Sequence, residues 1–129
     1  MKKNKLTIQV NKPVSEGFAF ALNPKNTPKW LDSLVAEETN EWPIKVSSIY
    51  RNKNKNGKWN EYVVTALEQD KMFEFVSKED NYHVRYTYTT IDENNFELEY
   101  YEWVDTGELN EAFTQDMLEK FKTILESSK

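Results

Sequence analysis

An α+β fold is predicted for this chain: a seven-stranded antiparallel, curved sheet wrapped around one long C-terminal helix, with two short helices after the first strand. Three observations predict it. The residues after Asp105 carry apolar side chains at spacings of three and four, the period of a helix face. Nearly everything before them alternates or clusters as strands do. Between the first and second strands, Pro13, Pro24 and Pro28 fall at helix-start and helix-stop positions.

Taken in order, Leu6, Ile8 and Val10 alternate with Thr7, Gln9 and Asn11, a half-buried first strand that Lys12-Pro13 ends. Val14, Phe18 and Leu22 recur every four residues, with Ser15 able to cap, so a short helix follows and Asn23-Pro24 stops it. Lys25 to Leu31 is a second short helical turn, with Pro28 near its start and Trp30 near its end. Leu34 to Trp42 alternates weakly and ends at Pro43; Ile44 to Tyr50 is a third strand. Arg51-Asn-Lys-Asn-Lys-Asn-Gly-Lys58 reads as a solvated hairpin loop, because Asn-Gly in a polar run is a turn signal. The fourth strand, Lys58 to Leu67, places Tyr62, Val64 and Ala66 on one side. After a turn at Glu68–Lys71 come Met72 to Val76, Tyr82 to Ile91 and Phe96 to Val104.

The last two strands form a hairpin whose register decides one residue. Tyr82, Val84, Tyr86 and Tyr88 share a face, as do Phe96, Leu98 and Tyr100. A three-residue loop of Glu93, Asn94 and Asn95 would match these parities and set Tyr88 opposite Tyr100 and Tyr86 opposite Glu102. Glu102 would then lie inside, among tyrosines. The alternative, and the expectation, is a bulge near Tyr101 or simple exposure that turns Glu102 outward.

The final helix is expected over about 20 residues from an N-cap at Asp105, with Glu108 and Glu111 at its positive end. Leu109, Ala112, Phe113, Met117, Phe121, Ile124 and Leu125 form its apolar stripe, widened by Leu118, with Phe113, Met117 and Phe121 at its centre. A helix of that length would cross a whole small domain.

At 129 residues the chain is expected to be one domain over 1–129. Its 7 Phe, 7 Tyr and 4 Trp supply much of the burial, and such residues line cavities as readily as cores. Zero cysteines exclude disulfides and thiolate metal sites. No leader-like apolar segment and no run of transmembrane length appear, so a cytoplasmic protein without membrane insertion is expected. Nucleic acid is not expected as a partner: net charge is −5, and from Tyr86 to Glu119 there are ten acids and no Lys or Arg. A lone histidine, His83, on the face opposite the tyrosines, and three glycines without a phosphate loop leave no motif for a metal, a cofactor or a nucleophilic triad.

The order of strand, two short helices, six strands and a long helix is that of the helix-grip fold. The opening Ile8-Gln-Val-Asn-Lys-Pro-Val-Ser-Glu-Gly-Phe-Ala-Phe-Ala-Leu-Asn-Pro-Lys-Asn-Thr-Pro-Lys-Trp30 resembles that of the START-related, polyketide cyclase/dehydrase-like (SRPBCC) superfamily. Its marks are a strand, a Pro, a Val-x-x-x-Phe helix, a Pro-containing turn and a Trp. The strand from Lys58 to Glu68 with Trp59, and the closing segment from Glu108 to Leu125, extend the resemblance over the full length. These are packing positions, so they speak for fold more than for function.

The resemblance implies an apolar cavity between the concave sheet and the C-terminal helix. It implies binding of a small hydrophobic or aromatic molecule, lipid- or polyketide-like, with no cofactor. The alternatives are a cyclase- or dehydratase-like enzyme, or a protein-interaction module resembling activators of a chaperone ATPase. Trp30 and Trp42 follow the two least regular segments and are expected at the cavity mouth, with Tyr62, Phe73 and Phe75 deeper on the sheet. Tyr86, Tyr88, Tyr100 and Glu102 complete the expected lining from the last hairpin, and Met117 and Phe121 from the helix. A carboxyl beside tyrosine hydroxyls is the best enzyme-like constellation the residues offer.

Overall fold

A computed structural model describes residues 2–78, 81–110 and 112–127. The elements run β1 (Lys3–Val10), α1 (Val14–Leu22), α2 (Thr27–Trp30), β2 (Leu34–Thr39), β3 (Ile49–Asn54), β4 (Trp59–Glu68), β5 (Met72–Ser77), β6 (Tyr82–Asp92), β7 (Asn95–Val104) and α3 (Gln115–Glu126). The seven strands make one antiparallel sheet in the order β1-β7-β6-β5-β4-β3-β2, so the first strand closes against the last. Ile8, Val10, Val84, Tyr86, Tyr88, Phe96, Leu98 and Tyr100 point to the inner face and are buried there. The outer face carries Glu97, Glu99, Tyr101 and Trp103, with His83 stacked on Trp103 and bonded to Asp105 at 2.9 Å.

The C-terminal helix is shorter than its apolar period suggests: it begins at Gln115, and Asp105 to Thr114 is an irregular strap. The reason lies at Phe113. Its N–H donates to Glu102 Oε2 at 2.7 Å and its carbonyl accepts from Asn4 Nδ2 at 2.9 Å, so side chains satisfy the backbone groups a helix would otherwise pair. Gly107 at φ +82° turns the strap in the left-handed region. Thr114, not Asp105, is the N-cap, accepting from the Met117 N–H. Glu111, expected one turn after Glu108, lies outside the described residues.

The remaining helix buries Leu118, Phe121 and Leu125, while Phe113 and Met117 are only partly covered. Phe121 meets Trp30 and Phe20 edge-on, with ring centroids 5.1 and 5.5 Å apart. Trp30 therefore fastens α2 beneath α3. In α1 the N-cap is Pro13, and Ser15 does not cap. Gly17 faces Phe96 so closely that a Cβ there would lie 2.2 Å from the Phe96 ring, which leaves room for glycine only.

Two strands move relative to their sequence reading. β2 stops at Thr39, and 44–48 is a turn instead of the start of a strand. Ser48 closes that turn: its hydroxyl accepts from the Lys45 N–H and donates to Glu41, both at 2.9 Å. Ser47 takes φ +80°. β3 instead occupies Ile49–Asn54, taking in half of the supposed loop. In β4 an irregularity between Val64 and Ala66 reverses the alternation, so Leu67 replaces Ala66 as the inward neighbour of Phe73.

The β6–β7 connection is a two-residue turn at Glu93 and Asn94, with Asp92 paired to Asn95. Together with an irregularity between Thr90 and Asp92, this places Tyr86 opposite Tyr100 and Val84 opposite Glu102, two residues from the expected register. A shift of two preserves the face, and no irregularity occurs near Tyr101. Glu102, expected to be exposed, is 2% exposed on the inner face.

Phe121→Ala should lower unfolding free energy by about 3–5 kcal/mol, since the ring is fully enclosed by packed neighbours. The denaturation midpoint measures it; an unchanged midpoint would contradict the packing of α3 described above.

Candidate functional site

Away from the filled layer under α3, the inner face is hollow. A cavity of about 340 Å³ lies over β2 to β7, roofed by Ala21 of α1, Leu31 after α2, Phe113 of the strap and Met117 in the first turn of α3. That is within the roughly 300–1,000 Å³ usual for small-molecule sites. The roof thus comes mainly from α2 and the strap, and α3 contributes only Met117, in contrast to the expected position beneath the helix.

The floor is an aromatic ladder. Tyr50, Phe75, Phe73 and Tyr86 follow one another with near-parallel rings, at centroid spacings of 6.2, 6.2 and 4.5 Å. Consecutive strands of a pleated sheet bring inward-facing side chains into such rows. Tyr62 stands edge-on to Phe75 at 5.2 Å. At one end Tyr100 and Phe113 stack at 3.9 Å, joining sheet to strap.

Each end of the cavity holds a carboxyl group, and the two are held differently. Glu102 Oε2 accepts from Asn4 Nδ2 at 2.8 Å and from the Phe113 N–H at 2.7 Å, while Oε1 accepts from the Tyr82 hydroxyl at 2.6 Å. Tyr82, having spent its proton on Glu102, must accept from Tyr100 at 3.2 Å. The resulting chain runs Tyr100 to Tyr82 to Glu102, with every partner of Glu102 a donor. The group is a structural anchor for the strap, committed to three donors at once.

Glu37 of β2 is opposite Asn52 of β3 and projects into the cavity. Its Oε1 accepts from Thr27 Oγ1 at 2.6 Å, and Asn52 gives it a second hydrogen bond. Both donors are neutral. Burial pushes its carboxyl up to about 7, and the two hydrogen bonds only partly oppose that effect. Tyr50 donates to the Leu22 carbonyl at 2.6 Å, and its hydroxyl is raised by burial first and by Glu37 second. Tyr86 is raised the same way, with Glu37 and Glu102 both contributing, which sets its hydroxyl between the two carboxyl groups.

No family model matches the chain and no curated protein matches it in sequence. Solved structures do match in shape. XoxI from Bacillus cereus superposes with a TM-score of 0.77 at 11% identity, over 98% of this chain and 97% of that one. A START superfamily protein from Mycobacterium smegmatis gives 0.73 at 9% identity, covering 98% of each chain. The fold is the helix-grip α+β fold. DynU16, a protein of the dynemicin biosynthetic locus, gives 0.75 at 16% identity, over 98% of this chain and 48% of its own. Identities this low speak for the helix-grip architecture alone.

Within this helix-grip frame, Tyr62, Phe73, Phe75, Tyr86, Tyr100, Glu102 and Met117 line the cavity. Four expected residues do not. Trp30 is a core residue packed on Phe121 and Phe113, with a buried indole N–H that makes no hydrogen bond. Trp42 is 59% exposed beyond the end of β2. Tyr88 packs edge-on to Phe18, and Phe121 is enclosed under α3. Glu37, Asn52, Thr27, Tyr50 and Tyr82 line the site and were not singled out. For Asn52 a signal was present: from Arg51 to Asn56, cations and asparagines alternate with period two, as a strand would if it turned amides in and cations out. Arg51 indeed pairs outward with Glu38 at 2.7 Å and lies over the Trp59 ring.

Glu102→Gln should place an amide N–H₂ against donors and cost about 1–3 kcal/mol. Hydrogen exchange at the Phe113 amide should accelerate more than exchange in β5 and β6. Uniform exchange across the chain would argue against the tether.

Glu37 carries a pH signature. Its folded-state value, about 7, lies above the ordinary 4.5, so the protonated form stabilises the fold. That contribution is fully present below about 4.5 and lost as pH rises through about 7. Relative to Glu37→Gln, the wild type should lose on the order of 1–3 kcal/mol between those limits. Paired urea titrations across the window check the sign; a wild type that gains on the variant with rising pH would refute it.

Proposed function

We propose that the protein binds a small, largely apolar or aromatic molecule in the cavity between the sheet, α2 and the strap. The observation that carries this reading is the hollow over the ladder of Tyr50, Phe75, Phe73 and Tyr86, in a domain whose other half is fully packed. A protein with 18 aromatics could have filled this space with its own rings. It instead surrounds the space with aromatic side chains and a few polar groups, the usual make-up of a ligand pocket. The START-related architecture of its structural neighbours supports the same reading at the level of fold. Ser33 and Asn110 are exposed and also line the cavity, so they mark an entrance beside α2 and the strap. Among the described residues no helix is long and apolar enough to cross a membrane, so the pocket belongs to a domain without a spanning helix.

Calorimetric titration with a neutral two-ring probe, naphthalene-1-methanol, tests the reading. The wild type should bind it, and Ala21→Phe, which fills the roof, should weaken binding by about tenfold or more with the fold intact by circular dichroism. Equal binding by the filled variant would move the site elsewhere. Absence of binding in the wild type would remove the cavity as a functional element.

A further inference from the structure

The cavity has a charge character that apolar lining alone does not set. Among the described lining residues there are two carboxyl groups and no Lys, Arg or His. The cations close by in sequence are engaged elsewhere. Lys29 bonds Asn26, Arg51 pairs with Glu38 and Glu61, and Lys53 lies over the Trp59 ring. Glu102 already holds three donors from three separate segments. Glu37 is held only by neutral ones, at the end of the cavity where Thr27, Asn52, Asn54 and Asn60 collect.

We propose that the ligand is a flat apolar molecule bearing a protonated nitrogen, and that Glu37 receives that nitrogen while the ring body lies on the aromatic ladder. The inference rests on the cavity reading above and adds the charge of the occupant. A buried carboxylate without a cation is costly, and an ammonium or amidinium group supplies the missing partner through a charge-assisted hydrogen bond. The hydroxyl oxygens of Tyr50 and Tyr86, on the same lining, are neutral acceptors that add to the carboxylate's hold on the positive group. A carboxylate-bearing ligand such as a fatty acid would meet two acidic groups and no cation, and is disfavoured at entry.

Several groups face Glu37: Thr27 after the α1–α2 turn, Tyr50 and Asn52 of β3, and Tyr86 of β6; Glu102 of β7 lines the same space. Burial raises the tyrosine hydroxyls far above neutrality, so they stay neutral donors and acceptors. Glu37, pushed up to about 7 when alone, should ionise when the ammonium docks.

Three probes of matched shape separate the possibilities: 1-naphthylmethylamine, naphthalene-1-methanol and 1-naphthoic acid, titrated calorimetrically into the full chain. The amine should bind about tenfold or more tightly than the alcohol, and the acid more weakly than either. Amine affinity should rise with pH through about 7 while alcohol affinity stays flat. Glu37→Gln should reduce the amine to the level of the alcohol and leave the alcohol within about threefold of its wild-type value. If the alcohol binds and the amine gains nothing, the charge inference falls and the cavity reading stands. An amine preference that survives Glu37→Gln overturns the assignment to Glu37. If no probe binds, the cavity reading falls and takes this inference with it. Should Glu37→Gln fail to fold, the wild-type pH profile decides alone: a flat amine affinity refutes the role of Glu37.

Discussion

The structure depends on one buried carboxylate. Glu102 gathers Asn4 of β1, Tyr82 of β6 and the Phe113 backbone of the strap onto a single side chain of β7. Removing any one partner would leave a buried acceptor short of a donor, so the arrangement is held collectively. Its consequences spread outward. With Phe113 bound, the chain cannot be helical before Thr114, so α3 is 12 residues long and covers about 18 Å. With α3 that short, its buried stripe of Leu118, Phe121 and Leu125 fills only part of the inner face. The strap covers the rest at a distance, resting on the stacked Tyr100–Phe113 pair. The hollow is what the tether leaves.

That division gives the aromatic side chains two tasks. Under α3, Phe20 and Trp30 meet Phe121 edge-on, as Phe18 meets Tyr88, and these rings exclude space as close-packed rings do. Over β3 to β6, Tyr50, Phe75, Phe73 and Tyr86 stack face to face along the sheet and line an unfilled volume. A row of rings needs no ligand to be stable, because each also packs on its neighbours in the sheet. A preformed floor of this kind costs little to occupy, since few side chains must be ordered when something enters.

Much of the fold was legible because its signals are local. Alternation in β1, β6 and β7 and the prolines around α1 and α2 report on a handful of neighbouring residues each. Three features were illegible for a common reason: they are decided by hydrogen-bond pairings and strand irregularities that hydrophobic periodicity does not report. The apolar period from Leu109 to Leu125 fits a helix throughout, and only Glu102 and Asn4 make its first third a strap. The β6–β7 register turned on the Asp92–Asn95 pair, where Asp92 accepts from Asn94 and Asn95, and on the irregularity between Thr90 and Asp92. Val35 is exposed and Glu37 turned inward across an irregularity between Leu34 and Ala36, against any hydrophobicity rule. The site suffered most, because its polar end is built from β2, β3 and α2. An amide-lined strand resembles a loop when only apolar residues are counted as inward.

The two acidic residues of the cavity show how burial and partners, more than residue type, assign a role. Both face inward from the sheet and both accept from neutral donors. Glu102 has three short hydrogen bonds from three separate segments, so any change in it alters the frame. Glu37 sits between two adjacent strands and one short helix, and its neighbours Thr27 and Asn52 would remain in place if it changed its protonation or took a new partner. A residue that can change state without moving its surroundings can respond to a ligand. In this domain the carboxyl group that the sequence pointed to is the fixed one, and the responsive one stands in the strand whose alternation was weakest.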